Sequence, residues 1–132
     1  MIGLDTNILL SLVLNDDPQQ VNRAKSPLGT LNESNTGFIS VISIVELVWT
    51  LRRTFRFGRD EVATTVRTIL NAREIVVEDE AIVGAAIDRM QADKVDLADC
   101  LIVARNQALG CTRTVTFDRR AAQSVPGMEL LT

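Results

Sequence analysis

Short apolar runs alternate along the chain with longer segments in which apolar residues recur at helical spacing. The short runs are rich in β-branched residues and are bounded by polar residues or glycine, which is typical of strands. They predict two buried strands at Met1–Leu4 and Phe38–Ile42, and further strands at Glu74–Glu78, Thr112–Phe117 and Met128–Leu131. The longer segments predict helices at Asp5–Leu14, at Ile44–Phe57, from Asp60 through Leu70, at Ala81–Met90 and from Asp96 through Ala108. A separate helix, with a bend at Ser26–Pro27, is predicted to follow the first of these and to extend through Leu31.

Polar residues and glycines mark several of the predicted helix ends. Ser43, Asp60 and Asp96 are predicted N-caps, because a side-chain oxygen can accept a free backbone N–H of the first helical turn. Gly58 and Gly110 are predicted to end the helices that precede them.

The order of these elements predicts an α/β fold with a mostly parallel, roughly five-stranded sheet covered by helices on both faces. With 132 residues, the chain is expected to form a single domain, residues 1–132. In sheets of this kind the ligand site lies outside the carboxyl ends of the strands. Asp5 and Asp118 both follow predicted strands, so both are expected at such ends.

The composition excludes several kinds of catalysis. The chain contains no His and no Tyr, which excludes imidazole acid–base chemistry and a tyrosine nucleophile. None of the seven glycines has the G-x-G spacing of a nucleotide-binding loop. Cys100 and Cys111 lie in apolar stretches and suit neither a four-ligand zinc site nor a disulfide framework, which favours a reducing compartment. Carboxylate chemistry remains.

The apolar run at Ile8–Leu14 is too short for a membrane span, and it lacks the basic leader of a signal peptide. We therefore expect a cytoplasmic protein that does not contact a membrane. Its net charge is slightly negative, with 17 Asp and Glu against 14 Lys and Arg.

Four of the acids, Asp5, Glu46, Asp99 and Asp118, lie beside apolar segments. Burying an ionised carboxylate is unfavourable unless it is paired, protonated or bound to a cation. Basic partners are scarce nearby, since Glu46 has no Lys or Arg three or four residues away. If the fold brings these acids together, a divalent cation would remove their repulsion, and oxygen ligands favour Mg²⁺ or Mn²⁺ over Zn²⁺.

Each acid also has an explanation that needs no metal. Asp5, or Thr6 beside it, can cap the first helix, and Asp118 can be a turn residue. Asp99 can be solvated near the N-terminus of its helix, where the helix dipole favours a negative charge. Glu46 is the hardest to explain in this way, because its neighbours in sequence are apolar.

Four segments, taken in order, resemble the PIN-domain ribonucleases and, more narrowly, the VapC-type toxins of bacterial toxin–antitoxin pairs. They are Ile2–Asn7, Ser43–Leu47, Asp96–Ile102 and Thr114–Asp118, and the resemblance extends over essentially the full chain. It implies a three-layer α/β/α sandwich and an acidic site made of Asp5, Glu46, Asp99 and Asp118. It further implies that Asn7 and Thr116 are polar supports of this site, with Asp96 a less certain member.

The resemblance also implies an activity and partners. The activity is that of an Mg²⁺- or Mn²⁺-dependent endoribonuclease that hydrolyses phosphodiester bonds in structured RNA, such as a tRNA or rRNA loop. Asp5, Asp99 and Asp118 would hold a metal that activates a water for in-line attack, and Glu46 would hold the water or a second metal. A homodimer and a cognate antitoxin are implied, with operator DNA reached only through the antitoxin.

An acidic protein that cuts RNA needs basic surface. Twelve of the 14 basic residues are Arg, which suits bidentate phosphate contacts. An alternative is that such arginines favour a helix C-terminus and keep the surface soluble. The candidate RNA-binding residues are Arg52, Arg53 and Arg56, with Arg59 nearby, and Arg119 and Arg120.

Trp49 and Phe55 are candidates for an interface with a second copy or an antitoxin, because aromatic residues are enriched at interfaces. The helical spacing of Trp49 from Val45 instead favours the hydrophobic core, where we predict it to lie.

Other classes of protein fit the sequence less well. A receiver-like signalling module needs two acids after its first strand and a late Lys, whereas only Asp5 follows that strand. A haloacid-dehalogenase-type phosphatase needs an Asp where Asn7 stands. The main alternative is a catalytically idle relative that only binds RNA or an antitoxin, and metal-dependent RNA cleavage would distinguish it from a nuclease.

Overall fold

The fold is available as a computed structural model, which describes residues 1–14 and 29–132. The predicted helix with a bend at Ser26–Pro27 lies outside these residues, except that positions 29 and 30 form a turn before Leu31. Backbone contacts divide the chain into two compact units, Met1–Glu80 and Ala81–Thr132.

The first unit contains a three-stranded parallel sheet and the helices that follow its strands. Its strands are β1 (Ile2–Gly3), β2 (Gly37–Ile39) and β3 (Ile75–Val77), and its helices are α1 (Thr6–Leu14), α2 (Val41–Arg53) and α3 (Arg59–Asn71). The middle strand is β2, whose Gly37 pairs with Ile2 on one side and Ile75 on the other. A Cβ atom on Gly37 would lie 2.9 Å from Leu4 Cδ1, so this glycine lets neighbouring apolar side chains close over the sheet.

The core of the first unit is formed largely by one face of α2. Ile44, Leu47, Val48 and Leu51 recur at helical spacing and are buried, as is Ile39 at the end of β2. By contrast, both residues of β1 are exposed, so the prediction of a buried first strand is wrong. A strand of only two residues at the edge of the sheet has little of its own surface covered.

Truncation of this core is expected to have a large effect on stability. Leu47→Ala should lower the free energy of unfolding by about 2–5 kcal/mol, because Leu47 is fully buried and the cavity left behind is only partly refilled. Urea unfolding followed by circular dichroism measures the change. Ile42→Ala, on the exposed side of the same helix, is the matched control and should change it by less than about 0.5 kcal/mol. A similar loss in both variants would contradict this account of the core.

Two helices begin at different residues from those predicted. Ser40, not Ser43, is the N-cap of α2, because β2 ends at Ile39 and the Ser43 N–H donates to Ser40 Oγ at 3.2 Å. Glu78, which follows β3, also accepts the Val41 N–H at 2.9 Å.

Gly58, not Asp60, is the N-cap residue of α3, and its own N–H donates to Glu61 Oε1 at 3.0 Å. The preceding helix α2 ends at Arg53 rather than near Phe57, and the left-handed backbone of Arg56, with φ of 58°, belongs to the connecting segment.

The second unit contains the remaining strands and helices. These are α4 (Glu80–Asp93, which starts at the last residue of the first unit), α5 (Leu97–Ala108), β4 (Thr114–Thr116), α6 (Arg119–Ser124) and β5 (Met128–Leu130). β4 and β5 form a parallel pair, so the described strands form ladders of three and two rather than the one five-stranded sheet expected. The prediction that the strands are parallel is confirmed.

The two cysteines of this unit are free thiols in different surroundings. Cys100 is buried in α5, and burial raises the pKa of its thiol. Cys111 is exposed, although its position in an apolar stretch of the sequence suggests burial. Among the helices that the structure describes, none combines the length and apolar character needed to cross a membrane.

Candidate active site

The acids predicted to be catalytic are divided between the two units. Asp5 and Glu46 belong to the first unit, whereas Asp99, Asp118 and the less certain Asp96 belong to the second. Each group is described within its own unit.

Asp5 lies between β1 and α1 and starts the helix through its backbone. Its carbonyl oxygen accepts the N–H groups of Ile8 and Leu9 at 3.0 and 3.3 Å. Its carboxylate is exposed and accepts no hydrogen bond from any residue in the ranges 1–14 and 29–132. Within the described part of the chain, the Asp5 carboxylate therefore does not cap α1.

Glu46 lies in the second turn of α2 and is held by a residue of α1. The buried Thr6 hydroxyl donates a hydrogen bond to Glu46 Oε1 at 3.2 Å, which joins the start of α1 to α2. From the sequence, Thr6 is predicted only as a helix cap, whereas Asn7 is predicted to support the acidic site. Asn7 is exposed, and its backbone carbonyl accepts the Ser11 hydroxyl at 3.0 Å. No spacing in the sequence indicates the Thr6 contact, since it depends on how the two helices pack.

Removing the Thr6 hydroxyl should impair function more than folding. Thr6→Val keeps the shape of the side chain and removes the hydrogen bond to Glu46, so we expect RNA cleavage to fall by about 10-fold or more, as for residues that orient metal ligands. Thr6→Ser restores a hydroxyl and should recover most of the rate. Steady-state cleavage with thermal unfolding as a control measures both. Equal rates for Thr6→Val and the wild type would show that this contact does not position Glu46.

Two of the second unit's acids cap helices. Asp96 is the N-cap of α5, as predicted, and its Oδ1 accepts the Ala98 N–H at 2.8 Å. Asp118 is the N-cap of α6, where its Oδ1 accepts the Ala121 N–H at 3.1 Å. The Thr116 hydroxyl oxygen accepts the backbone N–H of Asp118 at 3.0 Å, which fixes the chain between β4 and α6.

Asp99 stands apart electrostatically from the other acids. It lies in the first turn of α5 and is half-buried. Its carboxyl pKa is raised, first by burial and then by the negative charges of Asp96 and Asp118. These effects outweigh the helix dipole, which by itself would favour the ionised form at this position. Burial and two neighbouring negative charges therefore disfavour the ionised form of Asp99.

The candidate acids are less deeply buried than their positions beside apolar segments of the sequence suggest. Asp5, Glu46 and Asp118 are exposed, and only Asp99 is partly withdrawn from water. The strands are two or three residues long, so an acid that follows an apolar run already lies at the end of the sheet. On α2 the apolar neighbours of Glu46 point into the core while Glu46 points outward. The penalty of burying a charge therefore applies only to Asp99.

The donor chemistry fits a hard divalent cation. All the candidate ligands are carboxylates, with hydroxyls beside them, and such oxygen sets suit Mg²⁺ or Mn²⁺. The pKa of Asp99 is raised first by burial and then by repulsion from Asp96 and Asp118, and a bound cation would relieve that repulsion. Among the described residues, 1–14 and 29–132, no group of three or more Cys, Asp or Glu side chains is close enough together to hold a metal ion.

The candidate RNA-binding arginines differ in exposure. Arg53 and Arg56 are exposed, whereas Arg52 is half-buried, and its buried Nη1 has no hydrogen-bond partner within the described ranges. Arg119 and Arg120 are exposed in the first turn of α6, directly after Asp118.

The prediction that Trp49 lies in the core is wrong. Its side chain is 58% exposed, and the guanidinium carbon of Arg53 lies 5.5 Å from the centre of its ring. Phe55 is also exposed. Val45 is only half-buried, and the buried face of α2, formed by Ile44, Leu47, Val48 and Leu51, lies on the side of the helix away from Trp49.

Comparison with known proteins identifies the family to which this chain belongs. Residues 2–125 match the PIN domain family, so the chain belongs to the PIN-domain family. It is also similar to a "VapC ribonuclease" of Aquifex aeolicus (strain VF5), with 27% identity over 118 residues that cover 89% of this chain and 87% of the relative. The expected family and the α/β fold class are thereby confirmed.

Proposed function

We propose that the protein is a metal-dependent endoribonuclease and the toxin of a toxin–antitoxin pair. The observation that carries this proposal is the match of residues 2–125 to the PIN domain family. Asp5, Glu46, Asp99 and Asp118 support it as the acidic site that the resemblance implies. The similarity to a VapC ribonuclease supports RNA as the substrate class. We further propose that the scissile bond lies in structured RNA, in a tRNA or rRNA loop.

In this proposal Asp5, Glu46, Asp99 and Asp118 form the acidic site, and Asp5, Asp99 and Asp118 would hold Mg²⁺ or Mn²⁺. The cation, when bound, supplies a more acidic water and offsets the charge of the reacting phosphodiester. The chain has no His to serve as a general base, so its carboxylates must do the remaining work. Glu46, which is exposed and accepts a hydrogen bond from Thr6, would accept a proton from an attacking water or bind a second cation.

The other polar residues act through these acids. Thr6 holds one oxygen of Glu46, and Thr116 fixes the backbone at Asp118, so both are positioning residues. Asp96 raises the pKa of Asp99 by its charge and caps α5, which gives it a supporting role with or without contact to a metal. Asn7 remains a candidate support through its exposed side chain.

The arginines are proposed to bind the RNA backbone. Arg53 and Arg56 follow Glu46 on the same helix and its C-terminal extension, while Arg119 and Arg120 follow Asp118. Glu46 and Asp118 are thus each followed in the sequence by arginines, and phosphate contacts of this kind make binding weaken steeply as salt concentration rises. Arg52, whose buried Nη1 lacks a described partner, is the least accessible of the set.

We also propose the partners and location typical of such toxins. The protein would act in the cytoplasm as a homodimer, be inhibited by a cognate antitoxin, and reach operator DNA only through that antitoxin.

Digestion of total bacterial RNA by the purified protein tests the proposed activity. We expect discrete cleavage products with Mg²⁺ or Mn²⁺ and none with EDTA, and restoration when the metal is added back. Absence of cleavage with every metal, in a folded protein free of antitoxin, would instead favour a catalytically idle relative that only binds RNA or an antitoxin.

A further inference from the structure

One face of α2 carries the candidate acid Glu46 together with an exposed aromatic residue. Ile42, Glu46, Trp49 and Arg53 are spaced by four, three and four residues and lie within about 60° of one another around the helix. All of them are exposed, whereas the opposite side of α2 is buried in the core of the first unit. We call these residues the outer face of α2.

On this face the ring of Trp49 is exposed, and the guanidinium group of Arg53 lies beside it. It is the one Trp of the chain, and the Arg53 guanidinium lies 5.5 Å from its ring centre. This contact restrains the indole without covering it, since more than half of the side chain stays exposed. A restrained aromatic ring with an adjacent Arg is the arrangement on which unpaired nucleobases stack.

The charge of the surrounding segment favours a nucleic acid over another protein segment of mixed charge. From Leu47 to Arg59 the only charged residues are Arg52, Arg53, Arg56 and Arg59, although the whole chain has a net charge of −3. Within the described residues, neither Arg53 nor Arg56 is in an ion pair. An anionic partner with planar groups complements this surface, and RNA has both properties.

We propose that Trp49 stacks on an unpaired base of the RNA beside the scissile phosphodiester, with Arg53 bracing the ring and contacting the backbone. Glu46 and Trp49 lie on the same face of α2 and are separated by about 4.5 Å along the helix axis, so a single nucleotide can contact both side chains. A base stacked on Trp49 therefore places a neighbouring phosphate near Glu46. Bases inside a duplex are already stacked, so Trp49 selects single-stranded segments. This inference rests on the proposed ribonuclease activity.

The fluorescence of Trp49 reports on this interaction directly, because the chain has no other Trp and no Tyr. The full-length Asp5→Asn protein, used to prevent cleavage, is titrated with an unstructured 12-nucleotide RNA and with a blunt duplex of the same length. We expect saturable quenching of Trp fluorescence by the single strand and little by the duplex. Anisotropy of a labelled RNA gives the affinity independently.

Substitutions separate stacking from general binding. In the same background, Trp49→Ala should weaken single-strand binding by about 5- to 100-fold, the range for loss of one stacked base, while Trp49→Phe retains most of it. Leu109→Ala, which removes another exposed apolar side chain, should leave binding unchanged. In otherwise wild-type protein, Trp49→Ala should raise KM for a loop substrate more than it lowers kcat.

Three results of the binding experiments would overturn the inference. The first is single-strand binding, seen by anisotropy, without quenching. The second is unchanged affinity in Trp49→Ala, and the third is a concentration-dependent blue shift of Trp fluorescence without RNA, which would place Trp49 in a protein interface. Cleavage by wild-type protein with an unaffected KM in Trp49→Ala would refute stacking alone. Quenching and affinity loss as predicted, without cleavage by wild type, would refute the nuclease activity and leave stacking supported.

Discussion

Replacing Asp99 with Asn is expected to lower RNA cleavage by at least about 100-fold while making the metal-free protein more stable at neutral pH. The loss of activity follows if Asp99 holds the catalytic cation, because even residues that only orient metal ligands contribute about 10- to 100-fold. The gain in stability follows from its surroundings, since burial and the charges of Asp96 and Asp118 raise the pKa of its carboxyl group.

The sign of the pH dependence follows from that direction. A carboxyl group whose pKa is higher in the folded protein than its ordinary 3.8 binds more protons in the folded state, so stability falls as pH rises between the two values. Above this interval Asp99→Asn should be the more stable protein, by up to about 1 kcal/mol because the group is partly exposed and screened. At a pH below the ordinary value the two proteins should unfold alike.

Thermal unfolding of the metal-free proteins across this pH range, with cleavage assays in parallel, checks both effects. Glu74→Gln, which neutralises an exposed acid outside the candidate site, serves as the control and should alter neither property. An Asp99→Asn protein that cleaves RNA at the wild-type rate, or that is less stable at neutral pH, would contradict the assignment.

Asp118 is expected to show separable structural and catalytic roles. Asp118→Asn should lower cleavage by about 100-fold with little change in stability, because Asn is as good an N-cap as Asp but carries no charge. Asp118→Ala should lose activity equally and in addition lose about 1 kcal/mol of stability, since the Ala121 N–H is left without its acceptor.

Comparing the two Asp118 variants by urea unfolding and by single-turnover cleavage tests this separation. Asp96→Asn is an informative companion, because Asp96 caps α5 in the same way and is expected to affect cleavage less than Asp118→Asn. If Asp118→Asn retained full activity, the Asp118 carboxylate would be explained by capping alone.

The hydrophobic pattern was sufficient to predict the order and type of the described elements except α6, the short helix at Arg119–Ser124, where no helix was predicted. It located Ile75–Val77 as a strand and the helix that begins after Asp96. It misplaced the start of α2 because Ser40 and Ser43 are both good caps, and the choice depends on where β2 leaves its parallel ladder at Ile39. Strand pairing is a long-range property, which local sequence does not contain.

The candidate acids could be found from sequence, but their environments could not. A position beside an apolar run in sequence suggested burial, whereas Glu46 lies on the outward side of its helix. The hydrogen bond from Thr6 joins residues 40 positions apart, so only the packing of α1 against α2 reveals it. For Trp49, the helical spacing from Val45 predicted a position in the core. The buried face of α2 instead runs through Leu47 and Leu51, which leaves Trp49 exposed.

The central claim is that this chain cuts RNA with a divalent cation held by its acids. The most direct test is to incubate the wild-type and Asp5→Asn proteins with total bacterial RNA in Mg²⁺, Mn²⁺ or EDTA and to map new 5′ ends by sequencing. The account predicts one dominant site that appears with metal, disappears with EDTA and is absent with folded Asp5→Asn protein. The same site produced by Asp5→Asn, or by the wild type in EDTA, would contradict it.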